Sequence, residues 1–213
     1  MTAERLNSTE IKNLLPGFYS NELIDKMAEH GMVMEIPKNM EILREGQFVK
    51  VIPIVIEGLL KVYSRYEDKE LLLYYIQPGE SCIMSFSSSL QNEPSRVYAI
   101  AEEDSKVLVL PVEHSSKWVN QYPYYNNLFF RLYNQRYADL LETINHLLFH
   151  KLDDRIIAHL RERQILKGQR ILKITHRQIA HELGTAREVI SRIMKKLEKE
   201  KRVIQHPSGI EVL

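Results

Sequence analysis

The pattern of apolar and polar positions changes texture three times along the chain. Residues 1–30 read as helical and irregular, with Pro16-Gly17 marking a break. Over residues 34–110 short β-type runs take over. The apolar run 52–56 leads into Glu57-Gly58, and 59–64 follows with partial alternation. The run 71–76 leads into Pro78-Gly79, the runs 96–101 and 106–110 come next, and Pro111 closes the series. Short strands separated by turn signals predict a compact antiparallel barrel or roll.

The second change comes near Tyr124, after which no Gly or Pro occurs up to Lys151. Phe130, Tyr133, Tyr137, Leu140, Ile144 and Leu147 alternate spacings of three and four, the a/d seam of a coiled coil. Leu128, Leu132, Leu141 and Leu148 form a second stripe beside it. A helix with one broad face buried in its own domain would show the same stripes. At 1.5 Å per residue, however, a helix of ~28 residues is about 42 Å long, more than the width of a small domain. The length favours a helix that pairs with a second copy.

The third change opens the most informative segment, residues 171–213, where two short helical patterns flank Gly184. Thr175 with Gln178 forms a capping box that starts the first, and Thr185 with Glu188 repeats the pattern for the second. Ile179, Ala180 and Leu183 give the first helix its apolar face, and Gly184 supplies the tight turn. Ile190, Ile193, Met194 and Leu197 are the inward stripe of the second helix. Its opposite face carries Arg187, Glu188, Ser191 and Arg192, placed together on the first turns as in a recognition helix. Arg suits the O6/N7 edge of guanine, and Glu accepts from the cytosine amino group. Lys195, Lys196 and Lys199 along the same helix, with Thr175 at the start of the preceding one, are the candidates for phosphate contact. Residues 201–205, 207–209 and 210–213 then read as strand, turn, strand: a wing.

Charge sharpens this picture. From Lys151 to the end there are 15 Lys+Arg against 8 Asp+Glu, while the rest of the 213 residues carries 14 against 20. An acidic module joined to a basic one suits a partner that is a polyanion. Composition is that of an ordinary globular protein, at 44% hydrophobic and 27% charged. No apolar run approaches the ~18–20 residues that span a bilayer, and the start lacks a signal-peptide pattern, so no membrane association and a cytoplasmic location are expected. The single Cys82 rules out an intrachain disulfide and an iron–sulfur cluster of the usual kind.

With these residues in view, the chain resembles the Crp/Fnr superfamily of bacterial transcription regulators. The strongest part is 174–197, around Leu183-Gly184-Thr185-Ala186-Arg187-Glu188-Val189-Ile190-Ser191-Arg192. Glu57-Gly58 and Gln77-Pro78-Gly79-Glu80 resemble the family's roll glycines. The resemblance implies an α+β chain with three parts. These are a cyclic-nucleotide-binding-like β-roll sensor over 1–118, a dimerisation helix over 119–150 and a winged helix-turn-helix over 151–213. It further implies that Arg187, Glu188 and Arg192 read bases, with Ser191 available to do so, in TGTGA- or TTGA-related half-sites arranged as an inverted repeat. The partners implied are double-stranded DNA, a second copy of the chain, RNA polymerase and a small-molecule effector.

The effector residues depart from the family's pattern. Cyclic-nucleotide binders place a carboxylate on the ribose and an Arg with backbone amides on the phosphate. Ile83-Met84 stands where Gly-Glu is expected, and Arg96-Val97 where Arg-Ser or Arg-Thr is expected, which speaks against cyclic AMP and leaves the effector unidentified. Cys82 reads as a buried structural thiol. His146 and His150 have an i, i+4 metal spacing but no evident third ligand, so no metal is expected. An enzyme built on a metal-dependent barrel would cluster His and Glu in its strands, yet residues 34–110 contain no histidine; no catalytic residues are assigned. The remaining alternative is a small-molecule-binding or protein-interaction module without specific DNA reading.

Overall fold

The computed structural model describes residues 5–16, 20–66, 69–149 and 151–213. The chain opens with α1 (Ser8–Leu14) and α2 (Asn21–His30), followed by β1 (Met32–Ile36), β2 (Glu41–Leu43), β3 (Val51–Glu57), β4 (Leu60–Tyr66) and β5 (Lys69–Ile76). Then come α3 (Ile83–Gln91), β6 (Tyr98–Ala101), β7 (Ser105–Pro111), α4 (Val112–Gln121) and α5 (Pro123–Phe149). It ends with α6 (Leu152–Lys167), β8 (Ile171–Leu172), α7 (His176–Glu182), α8 (Arg187–Lys199), β9 (Val203–His206) and β10 (Gly209–Val212). Contacts divide it into two units, residues up to Ser64 with Leu73–Ala138, and Arg65–Leu72 with Asp139–Leu213.

The first unit contains the antiparallel roll. One sheet has the order β1-β7-β3 and the other β2-β6-β4-β5. β7 shows why its sequence is a continuous apolar run instead of an alternation. Val107 and Val109 point into the roll with Val55, Leu60 and Val62. Leu108 and Leu110 point the other way, into a core shared with α1, α2, α4 and the start of α5. A strand covered on both faces has no polar side to display. Gly58, in the turn between β3 and β4, has φ +93°, and a Cβ there would come 2.2 Å from the Ser105 hydroxyl. Only glycine meets both demands.

Two helices of this unit were not apparent from sequence. α3 is built on a serine-rich stretch without a side-chain N-cap, and α4 begins directly after Pro111. Both are fastened by aromatic packing. Phe86 of α3 stacks on Phe129 of α5 with ring centroids 3.5 Å apart, and Trp118 of α4 meets Tyr125 edge-on at 5.7 Å. Tyr125 is fully buried, its hydroxyl hydrogen-bonded to that of Ser115, and burial pushes its phenol far above the ordinary tyrosine range. Of the three tyrosines near the start of α5, only Tyr125 is core. Tyr122 donates to Glu22, and Tyr124 is exposed.

The second unit contains a winged helix. Ile156, Ile157 and Leu160 of α6, Ile179 and Ala180 of α7, and Ile190, Met194 and Leu197 of α8 form its core with Val203 and Ile210 of the wing. The wing strands pair antiparallel, Val203 with Val212 and His206 with Gly209, and β8 adds a third strand beside β10. Inside, Glu182 of α7 lies between His159 (Nε2 at 2.7 Å) and Arg163 (3.2 Å) of α6, all three buried. Charged groups withdrawn from water are tolerated because they satisfy one another.

Candidate nucleic-acid interface

α7 is set by its N-terminal cap and α8 by the turn that precedes it. Thr175 caps α7 in a complete capping box. Its hydroxyl accepts from the Gln178 N–H at 3.2 Å, and the Gln178 side chain accepts from the Thr175 N–H at 2.9 Å. Gly184 then takes φ +63° to turn the chain. The second expected capping box does not form. The N-cap of α8 is Ala186, with no side-chain bond. The reason is that the Thr185 N–H closes the turn onto the Ala180 carbonyl at 2.9 Å, which places Thr185 one residue before the cap.

α8 is strongly two-faced. Ile190, Met194 and Leu197 are completely buried, while Arg187, Glu188, Ser191, Arg192 and Lys195 together line an open depression of about 410 Å³ on the opposite face. All four expected base-reading residues therefore share one exposed surface on the first turns of the helix. Ser191 is the half-buried member. Its hydroxyl is 3.0 Å from Nδ1 of His176, a residue the sequence reading passed over because nothing local marks it. The expected phosphate contacts Thr175, Lys195, Lys196 and Lys199 are all exposed. Lys196 is turned toward α6, with Nζ 2.7 Å from Asp153 and 3.8 Å from Glu200. The hydrogen bond from Lys196 holds the Asp153 carboxyl below its ordinary range.

α5 is two-faced as well. Leu128 and Leu132 are buried in the core of the first unit, while Phe130, Tyr133 and Tyr137 are 67, 59 and 57% exposed, and Leu140, Leu141 and Ile144 are exposed too. The side chains of Leu147, Leu148 and His146, and all of His150, lie outside the described residues. Between the seam positions, Arg136 turns into the first unit. It donates to Glu80 at 2.6 Å and lies 4.5 Å over the Tyr74 ring. Gln135 donates to the other oxygen of Glu80 at 3.1 Å. Cys82 is buried beside the Tyr74 hydroxyl at 3.8 Å. Among the described residues no three His, Cys, Asp or Glu side chains converge as metal ligands, and no helix is long and apolar enough to cross a membrane.

Residues 147–213 match the family described as Crp-like helix-turn-helix domain, and residues 33–122 match that described as cyclic nucleotide-binding domain. No curated protein sequence matches the chain. Among solved structures it is similar to a transcriptional regulator of the Crp/Fnr family from Eubacterium rectale, with 24% identity, 94% of each chain covered and a TM-score of 0.84. It is also similar to the c-di-GMP responsive global regulator CLP of Xanthomonas campestris, with 17% identity over 91% of this chain and 99% of that one, TM-score 0.79. A third is a variant of CooA from Carboxydothermus hydrogenoformans, with 21% identity over 99% and 93%, TM-score 0.69. At these identities the likeness speaks to the fold. Within 33–122 the carboxylate expected of a cyclic AMP site is missing and the expected arginine faces solvent. Ile83 and Met84 begin α3 without a carboxylate, and the Arg96 side chain is 78% exposed and paired with Glu93.

Proposed function

The chain belongs to the Crp/Fnr superfamily of transcription regulators, and from that premise we propose that it works as a cytoplasmic homodimer reading an inverted-repeat DNA site. The observation that carries the reading is the surface of α8, where Arg187, Glu188, Ser191, Arg192 and Lys195 share one exposed face while the other face is locked into the winged-helix core. Two guanidiniums, a carboxylate and a hydroxyl offer both donors and acceptors to base edges. Thr175, Lys195 and Lys199, with Lys196 in a lesser role, supply phosphate contacts around them.

The apolar stripe from Phe130 to Ile144 supports pairing of α5 with a second copy, because so many adjacent exposed aromatic and leucine side chains mark an association surface. Two copies would present two recognition helices to half-sites one DNA turn apart. A signal received in the roll would reach this stripe through α5, since Glu80 in the turn after β5 binds Arg136 on the same helix as Tyr133 and Tyr137. An effector acts on DNA binding only if it prefers one state of that linkage. RNA polymerase is the partner expected at the promoter.

The deciding experiment is fluorescence anisotropy on a TTGA/TGTGA inverted-repeat duplex and a scrambled one, at two salt concentrations, backed by site selection from a random pool. Tight binding to one selected sequence, about nanomolar, that weakens steeply with salt supports the reading. Equal binding to all duplexes, with Arg192→Ala indistinguishable from the parent, overturns it in favour of an interaction module.

A further inference from the structure

The hydroxyl of Ser191 enters a chain of hydrogen bonds whose polarity can be followed from its far end. Glu198, near the end of α8, accepts from Gln205 of the wing twice, from the backbone N–H at 3.0 Å and from side-chain Nε2 at 2.9 Å. A carboxylate only accepts, so the amide nitrogen of Gln205 must face Glu198 and its oxygen must face away. That oxygen lies 2.8 Å from Nε2 of His176. Nε2 therefore carries the proton, and in the neutral imidazole Nδ1 is left with a lone pair. The Ser191 hydroxyl, 3.0 Å from Nδ1, must then donate to it.

The consequence is a defined chemistry on the reading face. A serine hydroxyl is ordinarily free to present either a donor or an acceptor and discriminates poorly between bases. Here its only hydrogen is directed inward to His176, and its lone pairs are what it can offer to the depression it lines with Arg187, Glu188 and Arg192. We propose that His176 is a positioning residue for specificity, fixing Ser191 as an acceptor that selects a base bearing a major-groove amino group, adenine or cytosine. The inference rests on the reading of α8 as the base-contacting helix. His176 and Ser191 sit on different helices and Gln205 on the wing, so the same bonds also hold α7, α8 and the wing in register.

The test compares the parent chain with His176→Gln, Ser191→Ala and the double variant. Each is titrated on the selected site with every base pair of the half-site replaced in turn. The parent is expected to prefer adenine or cytosine about fivefold at one base pair of each half-site, the scale of one hydrogen bond. Both single variants flatten that preference, leave the other positions as they were, and do not add in the double variant. A preference that survives in His176→Gln overturns the proposal. Should His176→Gln fail to fold, Gln205→Met breaks the chain one step further out. Relaxation at the same base pair then supports the proposal, and retention overturns it. Nitrogen chemical shifts of the free protein read the tautomer without DNA, and a proton on Nδ1 instead of Nε2 also overturns it. If the parent itself selects no sequence while the tautomer is as inferred, the failure lies in the reading of α8, and the specificity role falls with it.

Discussion

Lys196 Nζ lies 2.7 Å from the Asp153 carboxylate, joining the last turn of α8 to the first turn of α6. The bond gives one of the helix's three consecutive-face lysines a structural task, whereas Lys195 faces the depression. Lys195→Ala is therefore expected to lower the slope of log affinity against log salt by about one, as loss of a phosphate contact does. Lys196→Ala should change it by clearly less. Equal slopes for the two variants would contradict this division.

The same pair makes a pH prediction. The hydrogen bond from Lys196 lowers the folded-state pKa of Asp153, so the pair stabilises the fold above the unfolded carboxylate pKa of ~3.9 and the contribution is lost as pH falls through the depressed value. Asp153→Asn should lower the melting temperature near neutral pH, and the difference from the parent should close in strong acid. A gap that widens on acidification would reverse the sign and refute the assignment.

Glu182 is the shared anion of a buried cluster with His159 and Arg163. Glu182→Ala removes the shared anion from this buried cluster, at a cost of about 3–5 kcal/mol. Urea denaturation should show the winged-helix unit unfolding early, with the roll transition largely kept. Glu182→Gln, which preserves the shape and an acceptor, should cost less.

Leu140→Asp places a charge in the middle of the exposed stripe on α5. Sedimentation at micromolar concentration is expected to show monomers where the parent shows dimers, together with loss of binding to a two-half-site duplex. Persistence of a tight dimer would mean that the stripe is covered in some other way.

Cyclic AMP is expected to change neither the melting temperature nor the DNA affinity, because the positions that would hold ribose and phosphate carry Ile83, Met84 and the outward-facing Arg96. A ligand that binds only the folded state raises stability by an amount that grows with the logarithm of one plus its concentration over its Kd. A clear thermal shift at millimolar nucleotide would show that other residues provide the site.

Much of this architecture is written in local patterns. The continuous apolar run of β7, the capping box at Thr175, the glycine at 184 and the i, i+3, i+4, i+7 stripe of α8 each report on neighbours within a turn or a strand, and periodicity and capping act at that range. They were enough to predict a roll, a long helix and a winged helix-turn-helix, and to gather Arg187, Glu188, Ser191 and Arg192 on one face. Local pattern misled at Thr185, where the turn onto Ala180 moved the cap by one residue, and it was silent on α3, whose serines carry no strong period and which is held by Phe86 stacking on Phe129. The partners of individual polar groups were decided only in three dimensions. Asp153 is 43 residues from Lys196, and His176 is 15 from Ser191 and 29 from Gln205. A hydrogen bond depends on position and direction to within fractions of an ångström and tens of degrees, and no spacing along the chain encodes that. The sequence by itself determined which surface faces outward; the tertiary structure determined which atoms on that surface are already committed.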